Sequence, residues 1–315
     1  MTLRISEKAN RLISQSRFVI PVFADLHTDS LDDRHLNAQL EVLREFSSIR
    51  RPDAVISLGD MPAMLGREKH ASNAQISEML SGICERLSEA ADCPLLAVNG
   101  NHDGIGTDFF SPELWNRAVG SRFDRGLAKH DRDSVYFTTD FGDHRFIFLS
   151  IPHGSELDSK YPTPLWSFGK EQLAWLEKTL ADSVDKRVVI FSHVPLCSVY
   201  NGDPSVLMDV WDGKSARKAT RASLCGWIDD RDTAEQILNR FDNIICAVAG
   251  HEHFDAVYEP GEERNEFTNR LSFPQLIISS HRIYKASPET IFTRGGFDLI
   301  SLSAEATPAL KVIIF

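Results

Sequence analysis

The stretch Phe18-Val-Ile-Pro-Val-Phe-Ala-Asp25-Leu-His27 decides the fold, because an apolar run ends abruptly in a carboxylate and an imidazole. Residues 54–60 (AVISLGD) and 95–103 (LLAVNGNHD) repeat this arrangement, so polar groups again follow a short apolar run. Such runs are typical of buried strands. Residues 36–49 and 73–90 lie between them and place apolar residues at a helical spacing. The first hundred residues are therefore predicted to alternate between strand and helix.

The second half of the chain continues the alternation and then changes character. Residues 187–193 and 244–253 are apolar runs that end in His193 and in Gly250-His251-Glu252-His253, each preceded by a predicted helix. Only strand signals follow, up to residue 315. Alternating elements followed by several strands predict the α/β (α+β) class. We expect a four-layer αββα sandwich, with two mixed β-sheets flanked by helices, as a single domain over residues 1–315.

Three further segments have a readable local character. Residues 135–139 and 145–149 flank Phe141-Gly142-Asp143, which predicts a β-hairpin. Residues 152–168 and 197–229 show no clear period and are expected to be irregular. Long loops beside a rigid site often shape the substrate pocket.

The polar groups at the strand ends are the ligands that divalent transition metals accept, namely carboxylates, imidazoles and a carboxamide. The ends of strands in one sheet can converge, although the residues are far apart in sequence. Two ions about 3.5–4 Å apart clamp both oxygens of a displacement at phosphorus and lower the pKa of a bound water towards about 7. Asp60 is the candidate bridging carboxylate, because it is the sole carboxylate of its motif. In Gly250-His251-Glu252-His253, alternate residues of an extended chain would point the same way.

The ordered series of motifs resembles the calcineurin-like metallophosphoesterase superfamily, and the resemblance spans residues 25–253. It implies a β-sandwich covered by helices and two metal ions per chain. The implied ligands of the first ion are Asp25, His27, Asp60 and His253, and those of the second ion are Asp60, Asn101, His193 and His251.

The same resemblance assigns the catalytic residues Asn101, His102 and Asp103. His102 is then no ligand but contacts the phosphate or acts as the general acid, and Asp103 orients and charges it. The alternative is that Asp103 only caps the loop, while His102 only steadies the phosphate.

The identity of the metal stays open at this point. The purple acid phosphatases of this superfamily use a tyrosine ligand shortly after the Gly-Asp motif, whereas this chain has Met61-Pro62-Ala63-Met64. A purple ferric site is therefore disfavoured, and Mn²⁺, Fe²⁺ or Zn²⁺ are expected.

The expected function is hydrolysis of a small phosphodiester, of the cyclic nucleotide or glycerophosphodiester type, by attack of a metal-bridging hydroxide. The diester preference follows from a resemblance to bacterial diesterases alone. A phosphomonoesterase or protein phosphatase, a nuclease of the same superfamily, and a non-catalytic scaffold are the alternatives. The net charge of −11 argues against nucleic acid as a partner.

Composition also bears on the compartment. The five cysteines are odd in number, widely spaced and without a Cys-x-x-Cys pair, which favours reduced thiols in the cytoplasm. No apolar run is long enough for a membrane span. Residues 212–221 are the most basic stretch and could hold a second phosphate, or could be a solvated surface segment. Nothing in the sequence indicates the oligomeric state.

Overall fold

The computed structural model describes residues 13–14, 16–62, 72–103, 112–129, 135–150, 167–196, 198–199, 207–211, 216–220, 228, 230–264, 267–278, 298–302 and 309–311. Its helices are Arg34–Ile49 (α1), Asn73–Ala91 (α2), Pro112–Ala118 (α3), Gly120–Phe123 (α4), Gly169–Ala181 (α5) and Arg231–Leu238 (α6). Its strands are Phe18–Phe23 (β1), Val55–Ser57 (β2), Leu95–Ala97 (β3), Phe137–Phe141 (β4), His144–Phe148 (β5), Arg187–Ser192 (β6), Ser198–Val199 (β7), Leu207–Trp211 (β8), Ala216–Thr220 (β9), Ile244–Ala249 (β10), Ala256–Tyr258 (β11), Glu263–Arg264 (β12), Phe267–Thr268 (β13), Gln275–Ile277 (β14), Asp298–Leu302 (β15) and Ala309–Lys311 (β16).

Two mixed sheets form the centre of the molecule. The first has the strand order β16-β15-β1-β2-β3, with β1, β2 and β3 parallel and β15 antiparallel to β1. The second has the order β11-β14-β10-β6-β5-β4, with β5, β6, β10 and β14 parallel. Parallel pairing requires long crossover connections. Helices lie between most of the parallel strands, whereas β11, β12 and β13 lie between β10 and β14. The carboxyl ends of the parallel strands therefore share one edge in each sheet.

Apolar side chains divide the molecule into layers. Those between the sheets include Ile20 and Ile56 from the first sheet and Phe148 and Phe191 from the second. The rings of Phe148 and Phe191 are stacked with their centroids 4.8 Å apart. The outer face of the first sheet packs against α1 and α2, and that of the second packs against α5 and α6. The αββα sandwich predicted from the sequence is thereby confirmed.

Side-chain caps define the starts of the two long helices, α1 and α2. Asp33 caps α1 by accepting hydrogen bonds from the backbone N–H groups of His35 and Leu36. Ser72 and Gln75 form a capping box at the start of α2. Such caps satisfy backbone N–H groups that have no partner inside the helix.

Some local predictions need correction. The segment 197–229, expected to be irregular, contains the antiparallel hairpin of β8 and β9 and the short strand β7, which pairs with β13. Backbone pairing between neighbouring segments forms these strands, whereas their sequences lack a clear alternation of apolar and polar residues. The helices α3 and α4 were not predicted, because each is too short to show a period. The predicted hairpin of β4 and β5 is confirmed. Of residues 152–168, only the last two lie in the described part.

Three of the five cysteines lie in the described part of the chain. Cys84, Cys93 and Cys246 are free and buried. None of the helices described is long and apolar enough to cross a membrane.

His144 provides a pH-dependent contribution to stability. The residue is buried, and its Nδ1 lies 3.0 Å from Oδ1 of Asp143, at the amino end of β5. Burial lowers the pKa of His144 below the usual 6.5, and Arg187 adds to this, while Asp143 opposes it. The unfolded chain therefore binds a proton before the folded chain does, so this contribution is complete above about pH 6.5 and is lost as the pH falls.

We predict that His144→Gln removes this pH dependence. The quantity compared is the unfolding free energy of the original protein minus that of the variant. This difference should decrease as the pH is lowered from 7.5 to 5.5, because only the original protein buries an imidazole that resists protonation. Urea denaturation of both metal-free proteins at the two pH values measures the difference. A difference that stays constant would contradict the prediction.

Candidate metal centre

The motifs that follow β1, β2, β3, β6 and β10 meet at the common edge where the parallel strands end. Asp25 follows β1, Asp60 follows β2 and Asn101 follows β3, while His193 and His251 follow β6 and β10 in the second sheet. Backbone hydrogen bonds join neighbouring loops, from Asp25 N to Gly59 O at 3.1 Å and from Gly250 N to His193 O at 2.9 Å. The motifs thus form one surface that is built from both sheets.

Left-handed backbone torsions turn the chain at these strand ends. Seven non-glycine residues of the described chain have positive φ, and five of them are candidate ligands: Asp25, His27, Asp60, His251 and His253, with φ between 44° and 70°. Such torsions are uncommon for side-chain-bearing residues, and they cluster at functional sites.

One cluster contains Asp25, His27 and His253. The Nε2 atoms of the two histidines are 3.1 Å apart, and Nε2 of His253 lies 3.3 Å from Oδ1 of Asp25. Nε2 of His27 lies 3.9 Å from the same carboxylate oxygen. Ligand atoms from β1 and β10 therefore converge on one point.

A second cluster contains Asn101, His193 and His251. Oδ1 of Asn101 lies 3.0 Å from Nε2 of His193 and 3.0 Å from Nδ1 of His251. The two histidine nitrogens are 3.2 Å apart. The carbonyl oxygen of Leu58 is 2.8 Å from Nδ1 of His193, and a hydrogen bond there leaves Nε2 free to act as a ligand.

Asp60 lies between the two clusters. Its Oδ2 is 3.4 Å from Nε2 of His193 and 3.8 Å from Nε2 of both His27 and His102. The carboxylate is almost fully buried. The bridging role of Asp60 stays a prediction, and its position between the clusters is compatible with it.

The two clusters fit divalent ions by their donor chemistry. Two ligands at about 2.0–2.2 Å from one ion are about 2.8–3.6 Å apart at octahedral or tetrahedral angles. Most of the distances within each cluster fall in this range.

The turn at residues 250–253 differs from the expected extended chain. His251 and His253 both have left-handed backbone, with φ of 70° and 58°. His251 consequently reaches Asn101 and His193, whereas His253 reaches Asp25 and His27. Because of this turn, the two histidines belong to different clusters. The expectation that their side chains point the same way, as alternate residues of an extended chain do, was wrong.

Asp103 holds backbone amides, and none of its hydrogen bonds within the described chain goes to His102. Its carboxylate accepts hydrogen bonds from the N–H groups of Gly100, Asp60 and Met61, at 2.6, 2.9 and 2.9 Å. This contradicts a direct orienting contact with His102 and favours the capping alternative. Three amide donors occupy a fully buried carboxylate, which is how a loop is fixed to its neighbour.

His102 lies at the border of the site. Its backbone N–H donates to Oδ1 of Asp60 at 2.6 Å, and its ring packs edge-to-face on His27 with a centroid distance of 4.7 Å. The side chain is 17% exposed, whereas that of His193 is 1% exposed. His102 can therefore meet a substrate that enters from solvent. Distance alone also groups it with His27 and Asp60 as a third set of potential ligands.

Burial and charge set the protonation of the metal-free site. Burial lowers the pKa of His27 to about 4, and burial together with His193 lowers that of His251 to about 3. Burial also opposes the charged form of His193, but the Asp60 carboxylate outweighs it and raises the pKa of His193 to about 10. Metal binding requires neutral imidazole, so His193 must release its proton when an ion binds.

Two glycines allow the loops after β2 and β3 to approach each other. Gly59 has φ of 94°, and a Cβ atom there would lie 2.5 Å from the backbone nitrogen of Gly100. A Cβ atom on Gly100 would collide with Oδ1 and N of Asp60. The sequence motifs contain these glycines because the backbone leaves no room for a side chain.

Some residues that support the site were not foreseen. The Leu58 carbonyl and the side chain of Asn99, which accepts a hydrogen bond from Ser150, carry no recognisable sequence signal. Asn99 directly precedes the Gly-Asn-His-Asp motif and would be found only by inspecting the residues that flank motifs. Three other residues that could bind a metal by their chemistry, His153, Cys197 and His281, lie outside the described residues.

Solved structures show the same fold at low sequence identity. A dimetal phosphatase from Danio rerio is 15% identical, with a TM-score of 0.63, over 92% of this chain and 94% of its own. PhoD is 12% identical, with a TM-score of 0.55, over 91% of this chain and 64% of its own. GAP50, the anchor in the inner membrane complex of Plasmodium, is 12% identical, with a TM-score of 0.51, over 91% and 82%.

No curated protein matches the sequence. The sequence profile of the calcineurin-like phosphoesterases matches residues 18–255, a range that includes every candidate ligand from Asp25 to His253. Because this match extends over well more than half of the chain, the protein belongs to the calcineurin-like phosphoesterase family.

Proposed function

We propose that this protein hydrolyses a small phosphodiester, such as a cyclic nucleotide or a glycerophosphodiester, with two divalent metal ions. Family membership makes it a hydrolase that acts on phosphoester bonds. The observation that carries the proposal is the buried Asp60 carboxylate between two clusters of nitrogen and oxygen ligands. A site of this kind suits in-line displacement at phosphorus.

The residues divide between two ions. Asp25, His27, Asp60 and His253 would hold one, while Asp60, Asn101, His193 and His251 would hold the other. Bound ions of this kind supply a water of lowered pKa as nucleophile and neutralise charge on the phosphoryl oxygens. Mixed imidazole and carboxylate ligands suit Mn²⁺, Fe²⁺ or Zn²⁺.

The protein's own groups complete the chemistry. We assign to the partly exposed imidazole of His102 the contact with a non-bridging oxygen or the protonation of the leaving oxygen. Its backbone N–H group binds Asp60, so the position of His102 is tied to the candidate bridging carboxylate. Asp103 acts on His102 only through the loop, because its carboxylate accepts hydrogen bonds from the backbone N–H groups of Asp60 and Gly100.

The preference for a diester rests on the resemblance to bacterial diesterases. A phosphomonoester carries up to two negative charges at neutral pH, whereas a diester carries one. The two cations that the clusters around Asp60 would hold attract both esters. A direct comparison of the two esters therefore decides between them.

The remaining expectations are part of the same proposal. We assign a small-molecule substrate and a cytoplasmic location, because the chain is acidic and its described cysteines are free thiols. Of the basic segment 212–221, only the backbone of residues 216–220, in β9, is described. A role in binding a second phosphate remains a prediction for that segment.

We predict that Asp60→Asn reduces the metal content from two ions per chain to one or fewer. Asparagine keeps the shape of the side chain, but it removes the negative charge that two adjacent dications require. Equilibrium dialysis against Mn²⁺ measures the content, with Asp143→Asn as the control, since Asp143 is exposed at the opposite end of β5. Two tightly bound ions in Asp60→Asn would refute the bridging role.

We predict that His102→Ala lowers kcat about 10²- to 10⁴-fold while both metal ions remain bound, because a general acid contributes in that range. The control is His144→Gln, which alters a histidine at the amino end of β5, remote from the carboxyl ends of the strands. Loss of one ion in His102→Ala would instead make His102 a ligand, as the distances to His27 and Asp60 allow.

The proposed substrate class is tested with two chromogenic esters. The protein loaded with Mn²⁺, and separately with Zn²⁺, should show a higher kcat/KM for bis-p-nitrophenyl phosphate than for p-nitrophenyl phosphate. Preference for the monoester would identify a phosphatase. No activity on either ester with two bound ions would favour a specialised nuclease or a scaffold.

A further inference from the structure

Three buried polar side chains connect the loop that carries Asn101 to the second sheet. The hydroxyl of Ser150 donates a hydrogen bond to Oδ1 of Asn99. Ser150 N donates to Oε1 of Gln172 at 2.8 Å, and Nε2 of Gln172 donates to Ser150 O at 2.6 Å. Asn99, Ser150 and Gln172 are each no more than 2% exposed. The amide of Gln172 therefore fixes Ser150 at two points, and Ser150 fixes Asn99.

These contacts cross from one sheet to the other. Asn99 lies just beyond β3 in the first sheet, Ser150 lies just beyond β5 in the second, and Gln172 is in the first turn of α5. The second cluster also takes its ligands from both sheets, since Asn101 follows β3 while His193 and His251 follow β6 and β10. Its geometry thus depends on the spacing of the two sheets at this edge.

Other hydrogen bonds between the sheets at this edge are made by the candidate ligands themselves. His193 contacts the Leu58 carbonyl, and the backbone N–H of His251 donates to Asp25. Hydrogen bonds of this kind can readjust when an ion binds. The contact of Asn99 with Ser150 uses no ligand, so it can hold the spacing whether or not the ions are present.

The polar character of this link is unfavourable in itself. Nδ2 of Asn99 is buried and, within the part of the chain that is described, has no hydrogen-bond partner. Apolar residues of similar shape would avoid this penalty if the link served packing alone. The Asn99–Ser150 hydrogen bond is explained if the loop after β3 must lie at a defined distance from the end of β5.

We infer that Asn99, Ser150 and Gln172 form a positioning relay that sets the Asn101 carboxamide against His193 and His251. This inference rests on the proposed two-metal function and adds to it residues that touch neither metal nor substrate. Partners behind metal ligands typically change metal affinity or activity about 10- to 100-fold when they are removed. The relay therefore acts on the second ion and leaves the first ion to Asp25, His27 and His253.

The test compares Ser150→Ala with Ser183→Ala and Ser150→Thr. Ser183 is a fully buried serine just beyond the other end of α5, where its hydroxyl donates to the Thr179 carbonyl and accepts from Arg145. It thus offers the same loss of a buried hydroxyl without a link to the site. Ser150→Thr keeps the hydroxyl. Stepwise Mn²⁺ affinities are measured by calorimetry, together with the melting temperature of each metal-free protein.

In Ser150→Ala the affinity for the second Mn²⁺ should fall about 10- to 100-fold, with the first Mn²⁺ unaffected. Ser183→Ala should change neither affinity, and Ser150→Thr should restore the second. On bis-p-nitrophenyl phosphate, kcat should fall while KM stays within about threefold, because positioning acts on the reacting geometry. If Ser150→Ala does not fold, Ser150→Cys, with its weak S–H donor, replaces it.

Unchanged Mn²⁺ affinities in Ser150→Ala would overturn the relay, as would an equal loss in Ser183→Ala. The metal titration does not depend on the choice of ester. If the original protein has no diesterase activity but Ser150→Ala still loses affinity for the second ion alone, the relay stands. Only the proposed substrate class is then refuted.

Discussion

Backbone torsion at the strand ends is the constraint on which the metal centre depends. Five candidate ligands have left-handed backbone, and each such residue costs about 1–3 kcal/mol relative to a relaxed conformation. Backbone hydrogen bonds between the loops and the three amides bound by Asp103 hold the chain in this state. The rigid sheets below supply the remaining support, so the ligands are arranged before any ion arrives.

Each cluster takes ligands from both sheets, which couples the metal centre to the packing of the sandwich. His253 joins two residues that follow β1, while His193 and His251 join one residue that follows β3. The aromatic and aliphatic layer between the sheets therefore fixes the separation of the ligands as well as contributing to stability. A substitution far from the site that alters this layer would alter the metal geometry too.

The sequence was sufficient to predict the layers and the convergence of the candidate ligands, because short apolar runs followed by Asp, Asn or His indicate both. It was insufficient where torsion or long-range contact decides. The turn at His251 and His253 is invisible in a pattern that also suits an extended strand. The amide contacts of Asp103 and the link from Asn99 to Ser150 join segments distant in sequence. The hairpin of β8 and β9 depends on pairing rather than on composition.

The position of β1 in the first sheet has a consequence for how the protein is made. β1 lies between β2 and β15, and Phe18 pairs with Leu302. β15 follows β1 far along the chain, so one edge of β1 stays unpaired until β15 has been synthesised. Contacts between residues so distant in sequence slow folding, and an unpaired apolar edge invites association with other chains. The strand that precedes Asp25 and His27 is thus enclosed on both sides only after β15 has left the ribosome.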